Sequence, residues 1–400
     1  MRQINQKINK FTILGAGTAG CLTASFIKKH TNAEVEWIFD SNTPAQSVGE
    51  GSTIPLATSL FKELGFNYTL LDIMGGSLKK GIRKKDWNGV GDYVHEFPMG
   101  QTAIHFNSKM LQKYIPEKLK QKGVDIVDKK VTSHDDIDAD YIIDCTGRPS
   151  SYEEFNDAEH IAVNAAHIIQ SPTKGSPLFD YTFCIARPFG WIFCIPLVGR
   201  TSIGYLYNET INNLDEVKKD MQSFMADYNF PTSDNQNNFS FKNYYRKENY
   251  SERVAYNGNA SFFLEPLEAT SVGTIDHVNR RLLDTINLGL SIGSSNDWYE
   301  NEIKEAQNMI MMHYFAGSKY SNKFWDYAQQ KGKNAVAEMV SSNKFRDIAS
   351  QALSNYTDPD IEKLVGMEYG QWPAYSYLQN FKGLNIAQDI DNHIKDYELK

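Results

Sequence analysis

The segment FTILGAGTAG constrains this chain more than any other. It sets Gly15, Gly17 and Gly20 in GxGxxG spacing, after the apolar run Phe11–Leu14 and at the start of a helical pattern over Thr18–His30. A second strand-like run, Glu34–Phe39, follows and ends at Asp40. In a βαβ unit of this kind Gly15 permits the tight turn, Gly17 the approach of a pyrophosphate, and Gly20 the packing of helix on strand. The N–H groups at the helix start, around Thr18 and Ala19, face the phosphates, and Asp40 is placed for the ribose hydroxyls. Helices over Thr53–Leu64 and Ser108–Gly123 and an apolar strand over Tyr141–Asp144 continue the alternation. The fold class predicted is α/β, with a parallel sheet at the dinucleotide site.

The texture changes between Ile161 and Tyr207, where HIAVNAAHII, LFDYTFCIA, WIFCIPL and TSIGYLY are short, β-branched and aromatic. They predict an inserted antiparallel sheet. From Asn212 onward helical patterns dominate.

With 49 acidic against 41 basic residues the net charge is −8, which argues against nucleic acid or an anionic membrane as the main partner. Cys21, Cys145, Cys184 and Cys194 are scattered, and the histidines show no metal spacing. Neither a metal site nor a disulfide framework is expected, and a cytoplasmic location fits best. The opening MRQINQKINK is too polar for a signal peptide. The longest apolar stretch, Pro177–Gly199, is broken by Asp180, Arg187 and three prolines, so no membrane span is expected.

Two later turns bear on the cofactor. Asp144, Thr146 and Gly147 end a short apolar strand in DYIIDCTGRPS, and Gly258-Asn259-Ala260 follows RVAY. This layout resembles flavoprotein monooxygenases and oxidases, and favours FAD over NAD.

Four strings go further. VGEGSTIP carries Gly49, Glu50, Ser52 and Thr53. GWIFCIPL spans Gly190–Leu197, GNASFFLEPLEATS spans Gly258–Ser271, and HYFAGSKYSNKFW spans His313–Trp325. Together they resemble the flavin-dependent halogenases of the tryptophan halogenase type, whose members carry GEATxP, WxWxIP, GNAxxFxEPLEST and a helical HYxxxxRxDTPFW. The resemblance implies a Rossmann-like FAD-binding domain of the aromatic hydroxylase, glutathione-reductase-like type. A core over residues 1–325 would hold the βαβ unit (10–150), the β insertion (160–210) and a flavin and halide segment (253–290). A shortened helical substrate cap would cover 326–400.

The resemblance also implies the chemistry. FADH2, supplied by a separate NAD(P)H flavin reductase, reacts with O2 to a hydroperoxide that oxidises chloride, bromide or iodide. The hypohalous acid formed travels to a lysine beside an aromatic substrate. By its distance from Trp87 that lysine is Lys79 in SLKKGIRKKDW, with Lys80, one position on, as the alternative, although composition alone reads Lys79, Lys80, Arg83, Lys84 and Lys85 as a solvated charge run. Glu268 matches the second essential residue; acids are also favoured at helix starts for dipole reasons. Thr270 and Ser271 match the halide site, with Ala269 and Ser271 departing from the usual serine and glycine. Trp191, Phe193 and Pro196 match the tunnel motif, Phe193 replacing its second tryptophan. His95 and Phe97 match a substrate-side pair. The aromatics Tyr369, Trp372, Tyr375 and Tyr377 of Met367–Phe381 read either as the lining of an arene pocket or, more simply, as packing for the last helices.

The activity implied is halogenation of an electron-rich arene such as an indole. Phe193 keeps open a second reading, a flavin monooxygenase that hydroxylates its substrate. Monomer and homodimer both stay open.

Overall fold

The structure, a computed structural model, describes residues 3–4, 7–43, 49–58, 60, 64–88 and 91–399. The chain forms two compact units. The first comprises Met1–Gly76, Phe106–Asp157 and Asn243–Ile303; the second comprises Ser77–His105, Ala158–Lys242 and Lys304–Lys400.

The first unit is built on a parallel five-stranded sheet in the order Val254–Tyr256, Tyr141–Asp144, Lys10–Leu14, Glu34–Phe39, Asp125–Asp128. The central strand is buried from Phe11 to Leu14, as a strand covered on both faces must be. Helix Thr18–His30 follows it and buries Ala19 through Ile27. The turn between them needs two of its glycines. Gly15 sits at φ +101°, and a Cβ there would lie 2.4 Å from the Cys145 carbonyl oxygen. A Cβ on Gly20 would lie 1.9 Å from the Gly15 carbonyl oxygen, which accepts the Trp37 indole N–H at 2.8 Å. A small antiparallel sheet orders Phe262–Phe263, Tyr244–Arg246 and Phe155–Asp157.

The second unit holds a seven-stranded sheet in the order Gln236–Ser240, Ala165–Pro172, Arg200–Tyr207, Gly190–Leu197, Thr182–Arg187, Gly81–Lys85, Asp92–Glu96. Its neighbours are antiparallel except Thr182–Arg187 beside Gly81–Lys85. Helix Leu214–Asp227 lays Val217, Met221 and Phe224 into one buried cluster with Ile192, Cys194, Ile203 and Tyr205. A separate two-stranded ribbon pairs Ser77–Lys79 with Ala103–His105. Helices Lys323–Ser341, Asn343–Ser354, Ala374–Gly383 and Ala387–Glu398 complete this unit.

The inserted antiparallel sheet is therefore present and wider than its sequence suggests. Gly81–Lys85, which carries much of the lysine run, is one of its strands, because strand alternation lets charged side chains share an element with buried ones. The helix expected over Thr53–Leu64 is α-helical over Ile54–Thr58, while 59 and 61–63 lie outside the described residues. Residues 1, 2, 5 and 6 of the polar start and Val48 of VGEGSTIP also lie outside them. His313–Trp325 is not one helix. Helix Ile292–Ala316 stops before Gly317, at φ +78°, and a new helix starts at Lys323 under an Asn322 cap that accepts the Phe324 and Trp325 N–H groups. No helix among the described residues is long and apolar enough to cross a membrane.

Candidate active site

In the first unit the fingerprint turn leaves room where a phosphate would sit. Among the described residues nothing lies within 4 Å of a Cβ built on Gly17, the N-cap of helix Thr18–His30, and the helix's first turn carries no acidic residue. N–H groups in that turn have no intrahelical acceptor, so the turn suits a pyrophosphate. Asp40 follows the second strand and accepts the Asn42 N–H and the Thr43 hydroxyl, both at 2.9 Å, which holds its carboxyl below the usual range. Gly147 turns at φ +109° after Asp144. Gly258 comes so close to the helix that a Cβ on it would lie 2.3 Å from the Ala19 methyl, and the neighbouring Asn259 carbonyl accepts the Tyr244 hydroxyl at 2.7 Å. These residues fit a bound dinucleotide.

The loop Gly49–Thr53 belongs to the same unit and is anchored on the start of helix Ser108–Gln121. Ser52 and Glu50 are buried. The Glu50 carboxylate accepts the N–H and the hydroxyl of Ser108 at 3.2 and 3.3 Å, at the first residue of helix Ser108–Gln121. An anion is favoured at a helix N-terminus, so Glu50 serves as that helix's cap.

The EPLEAT segment has an uncommon backbone. Glu268 lies at φ 63°, ψ 17° and Ala269 at φ 56°, ψ 29°, two consecutive left-handed residues without a glycine. Each costs of the order of 1–2 kcal/mol relative to a right-handed conformation, so surrounding packing has to impose them. The turn buries the Glu268 side chain to 5 % exposure and starts helix Thr270–Asn287 at Thr270. The Thr270 hydroxyl donates to the Leu267 carbonyl at 2.5 Å. The Ala269 N–H donates to the Pro266 carbonyl at 3.2 Å, and beyond it the N–H groups of the helix start lack intrahelical acceptors, as at any helix N-terminus.

In the second unit, Lys79 ends strand Ser77–Lys79 and Lys80 lies in the one-residue link to strand Gly81–Lys85, and the two differ in burial. Lys79 is buried, with its Nζ 5.7 Å from the centre of the Phe97 ring. Lys80 is exposed and pairs with Asp180 at 2.5 Å. His95 is buried, with its ring 6.4 Å from those of Phe97 and Tyr375. A buried amine thus shares its surroundings with aromatic rings. In strand Gly190–Leu197, Trp191 is 1 % exposed and its indole N–H has no hydrogen-bond partner among the described residues. Phe193 lies 6.2 Å from Trp191 and faces Gly204 across the sheet. A Cβ on Gly204 would come within 2.3 Å of the Phe193 ring. The Pro196 carbonyl accepts the Ser77 hydroxyl at 2.5 Å. Trp87, the landmark that numbers Lys79, packs its ring against His313, Tyr314 and Trp325.

The tryptophan halogenase family model matches residues 10–131 and 101–396. The chain belongs to that family. This tryptophan halogenase homologue is 22 % identical to the tryptophan 6-halogenase SttH of Streptomyces toxytricini, over 92 % of this chain and 88 % of the relative. To the tryptophan 7-halogenase RebH of Lentzea aerocolonigenes it is 21 % identical, over 80 % and 78 %. Among solved structures, a tryptophan halogenase from Shewanella frigidimarina superposes with a TM-score of 0.75 at 17 % identity, over 100 % of this chain and 95 % of that one. The flavin-dependent halogenase Xcc4156 from Xanthomonas campestris gives 0.75 at 18 %, over 98 % and 96 %. The fold is that of the flavin-dependent halogenases, and the chain is an enzyme of that family.

Several supports of the candidate site were not foreseen. Asn257 donates from its amide to Ile275 O at 3.0 Å and to Asn279 Oδ1 at 2.9 Å, and its own Oδ1 accepts the Gly258 N–H at 2.7 Å. Asn279 in turn donates to Thr23 Oγ1 at 3.2 Å. This buried lattice ties the fingerprint helix, the Gly258 turn and helix Thr270–Asn287 together. Its members are 23, 257 and 279 in the chain, so no local pattern announces them. Gly204 did leave a trace, as the one glycine inside the alternating run TSIGYLY. Among the described residues no group of three or more His, Cys, Asp or Glu is placed to hold a metal.

Proposed function

We propose that the protein is a FADH2-dependent halogenase acting on a small electron-rich arene such as an indole, with Lys79 and Glu268 as its catalytic residues. When bound, reduced FAD would supply the activation of O2 and the oxidation of halide to hypohalous acid. The fingerprint turn, Gly17 through Gly20 with Asp40, would bind its dinucleotide part, and Gly147 and Asn259 would border it, as would the loop carrying Gly49, Glu50, Ser52 and Thr53. Thr270 and Ser271 would hold chloride, bromide or iodide on N–H groups of the helix start.

The observation that supports this most is the burial of Lys79 against an aromatic ring while Lys80 beside it is solvated. A buried ammonium can donate a hydrogen bond to the oxygen of hypohalous acid and make its halogen more electrophilic. A neutral amine there would instead exchange a proton for the halogen as a haloamine. Both need a lysine whose protonation responds to burial. As the halogen bonds to the ring carbon, the oxygen departs as water. The Glu268 carboxylate would stabilise the cationic ring and accept its proton. His95 and Phe97 would flank the arene, and Trp191, Phe193 and Pro196 would form the wall that keeps it from the flavin.

The reduced cofactor would come from a separate NAD(P)H flavin reductase. The test supplies such a reductase, FAD, NADH, O2 and each halide with a panel of indoles, and reads product mass. Halogenated product supports the reading. Phe193 in place of a second tryptophan favours hydroxylation as the competing outcome, recognised by one added oxygen whether or not halide is present.

A further inference from the structure

The ribbon that carries Lys79 is a slight structure. Strand Ser77–Lys79 has three residues and pairs with Ala103–His105, and a two-stranded pair is marginal by itself. Ser77 faces His105 across the ribbon, and Lys79 lies on the same face two residues on. Behind that face runs a chain of buried polar groups. Ser77 Oγ lies 2.5 Å from the Pro196 carbonyl oxygen and 3.0 Å from His105 Nδ1, and His105 Nε2 lies 2.8 Å from Thr182 Oγ1. Ser77 and His105 are 5 % and 0 % exposed.

Counting protons fixes the direction of the chain. A carbonyl oxygen only accepts, so the single hydroxyl proton of Ser77 goes to Pro196. The proton between Ser77 and His105 then belongs to Nδ1. Burial, helped by the nearby Lys79 ammonium, pushes the His105 pKa well below its usual value, so the ring is neutral and Nε2 accepts the Thr182 hydroxyl. The opposite tautomer would face two lone pairs toward each other across the Ser77 contact. Pro196 belongs to strand Gly190–Leu197 and Thr182 to Thr182–Arg187, neighbours in the large sheet.

We infer that His105, locked as the Nδ1–H tautomer, is a positioning residue that acts through Ser77 to hold the Lys79 ribbon on the strand bearing Trp191, Phe193 and Pro196. This rests on the proposed halogenation, because what it positions is the lysine amine relative to the aromatic wall. In the chain Thr182–His105–Ser77–Pro196 each polar hydrogen has an acceptor, so removing the imidazole strands the Thr182 hydroxyl, takes away the donor that fixes Ser77 Oγ, and frees the ribbon to shift.

The test has two independent arms on the FAD-loaded protein. In the first, ring-15N histidine spectra, assigned through His105→Asn, report the tautomer between pH 8 and 5.5. A neutral Nδ1–H ring throughout is expected; an Nε2–H ring or a titration in that range overturns the inference. In the second, His105→Phe and Ser77→Ala are each expected to lower kcat for arene halogenation by about 10²-fold, with arene KM and FAD affinity within about twofold of wild type. His105→Asn, whose amide retains the donor toward Ser77, is expected to recover most of kcat. Wild-type kcat in Ser77→Ala, or equal losses in kcat, KM and FAD affinity, would overturn it. Should His105→Phe fail to fold, Ser77→Ala and the spectra still decide. A wild type that halogenates no arene defeats the proposed function and leaves the tautomer assignment standing, whereas a halogenating wild type with an Nε2–H His105 defeats this inference alone.

Discussion

Lys79 and Lys80 are chemically identical neighbours whose surroundings differ: Lys79 ends strand Ser77–Lys79 and is buried, while Lys80, in the link to strand Gly81–Lys85, is exposed and paired with Asp180. Replacing Lys79 with alanine is expected to lower halogenation by about 10³-fold or more while FAD still binds. Lys80→Ala, which loses an exposed pair with Asp180, is expected to leave turnover unchanged within error; steady-state kinetics of the two variants make the comparison. His105 gives a prediction for pH. Its folded-state pKa lies well below the unfolded value of 6.5, so above pH 6.5 the ring is neutral in both states and contributes no pH dependence. Below 6.5 the unfolded chain takes up a proton that the folded one refuses. Stability therefore falls with pH through that window, by about 1.4 kcal/mol per unit at the limiting slope. Urea melts at pH 6.5 and 5.5 should show a smaller loss in His105→Asn than in wild type. An equal loss would mean that His105 takes up its proton when folded.

At the scale of elements, the turn at Glu268 and Ala269 stores strain that can be measured. Ala269 at φ 56° tolerates glycine, whereas a β-branched residue there is strongly disfavoured. Ala269→Val is expected to cost about 1–2 kcal/mol and Ala269→Gly to change stability by no more than about 1 kcal/mol, read from denaturant midpoints. In the large sheet, Gly204 leaves space for the Phe193 ring, so Gly204→Ala is expected to destabilise by about 1–3 kcal/mol; unchanged stability would mean that the ring can swing away freely. The same elements show what a sequence reveals. The βαβ unit was legible because its glycines, strand and helix lie within thirty residues and each has a local physical reason. Helix Thr18–His30 and strands Glu34–Phe39 and Tyr141–Asp144 have the bounds their patterns suggested. Strand Gly81–Lys85 was hidden, because Arg83, Lys84 and Lys85 resemble a solvated run until Lys84 is seen buried and bonded to Asn380 at 2.7 Å. That bond joins residues far apart in the chain, as do Glu50 with Ser108 and Asn257 with Asn279, and periodicity carries no signal for such pairs.

At the scale of the whole molecule, the chain passes through each unit three times. A motif reading recovered the family and the order of its segments, since EPLE, GxGxxG and the aromatic strand are contiguous strings. The division into units was not recoverable that way, because segments brought together by folding leave no boundary in composition. The last helices illustrate this: Ala374–Gly383 buries Tyr377, Leu378 and Phe381 and supplies the Asn380 that holds Lys84. A chain ending at Trp325 is therefore expected to be insoluble or to lack cooperative unfolding by circular dichroism, and a soluble, cooperatively folded product would show that these helices are dispensable. The most direct measurement on the central claim is the product mass formed from an indole by wild type and Lys79→Ala with FAD, a separate reductase, NADH and O2, with and without bromide. The account predicts a bromine isotope doublet from wild type only, only with bromide, and equal FAD binding by both proteins. One added oxygen formed without halide, or a bromide-dependent product from Lys79→Ala at wild-type rate, would contradict it.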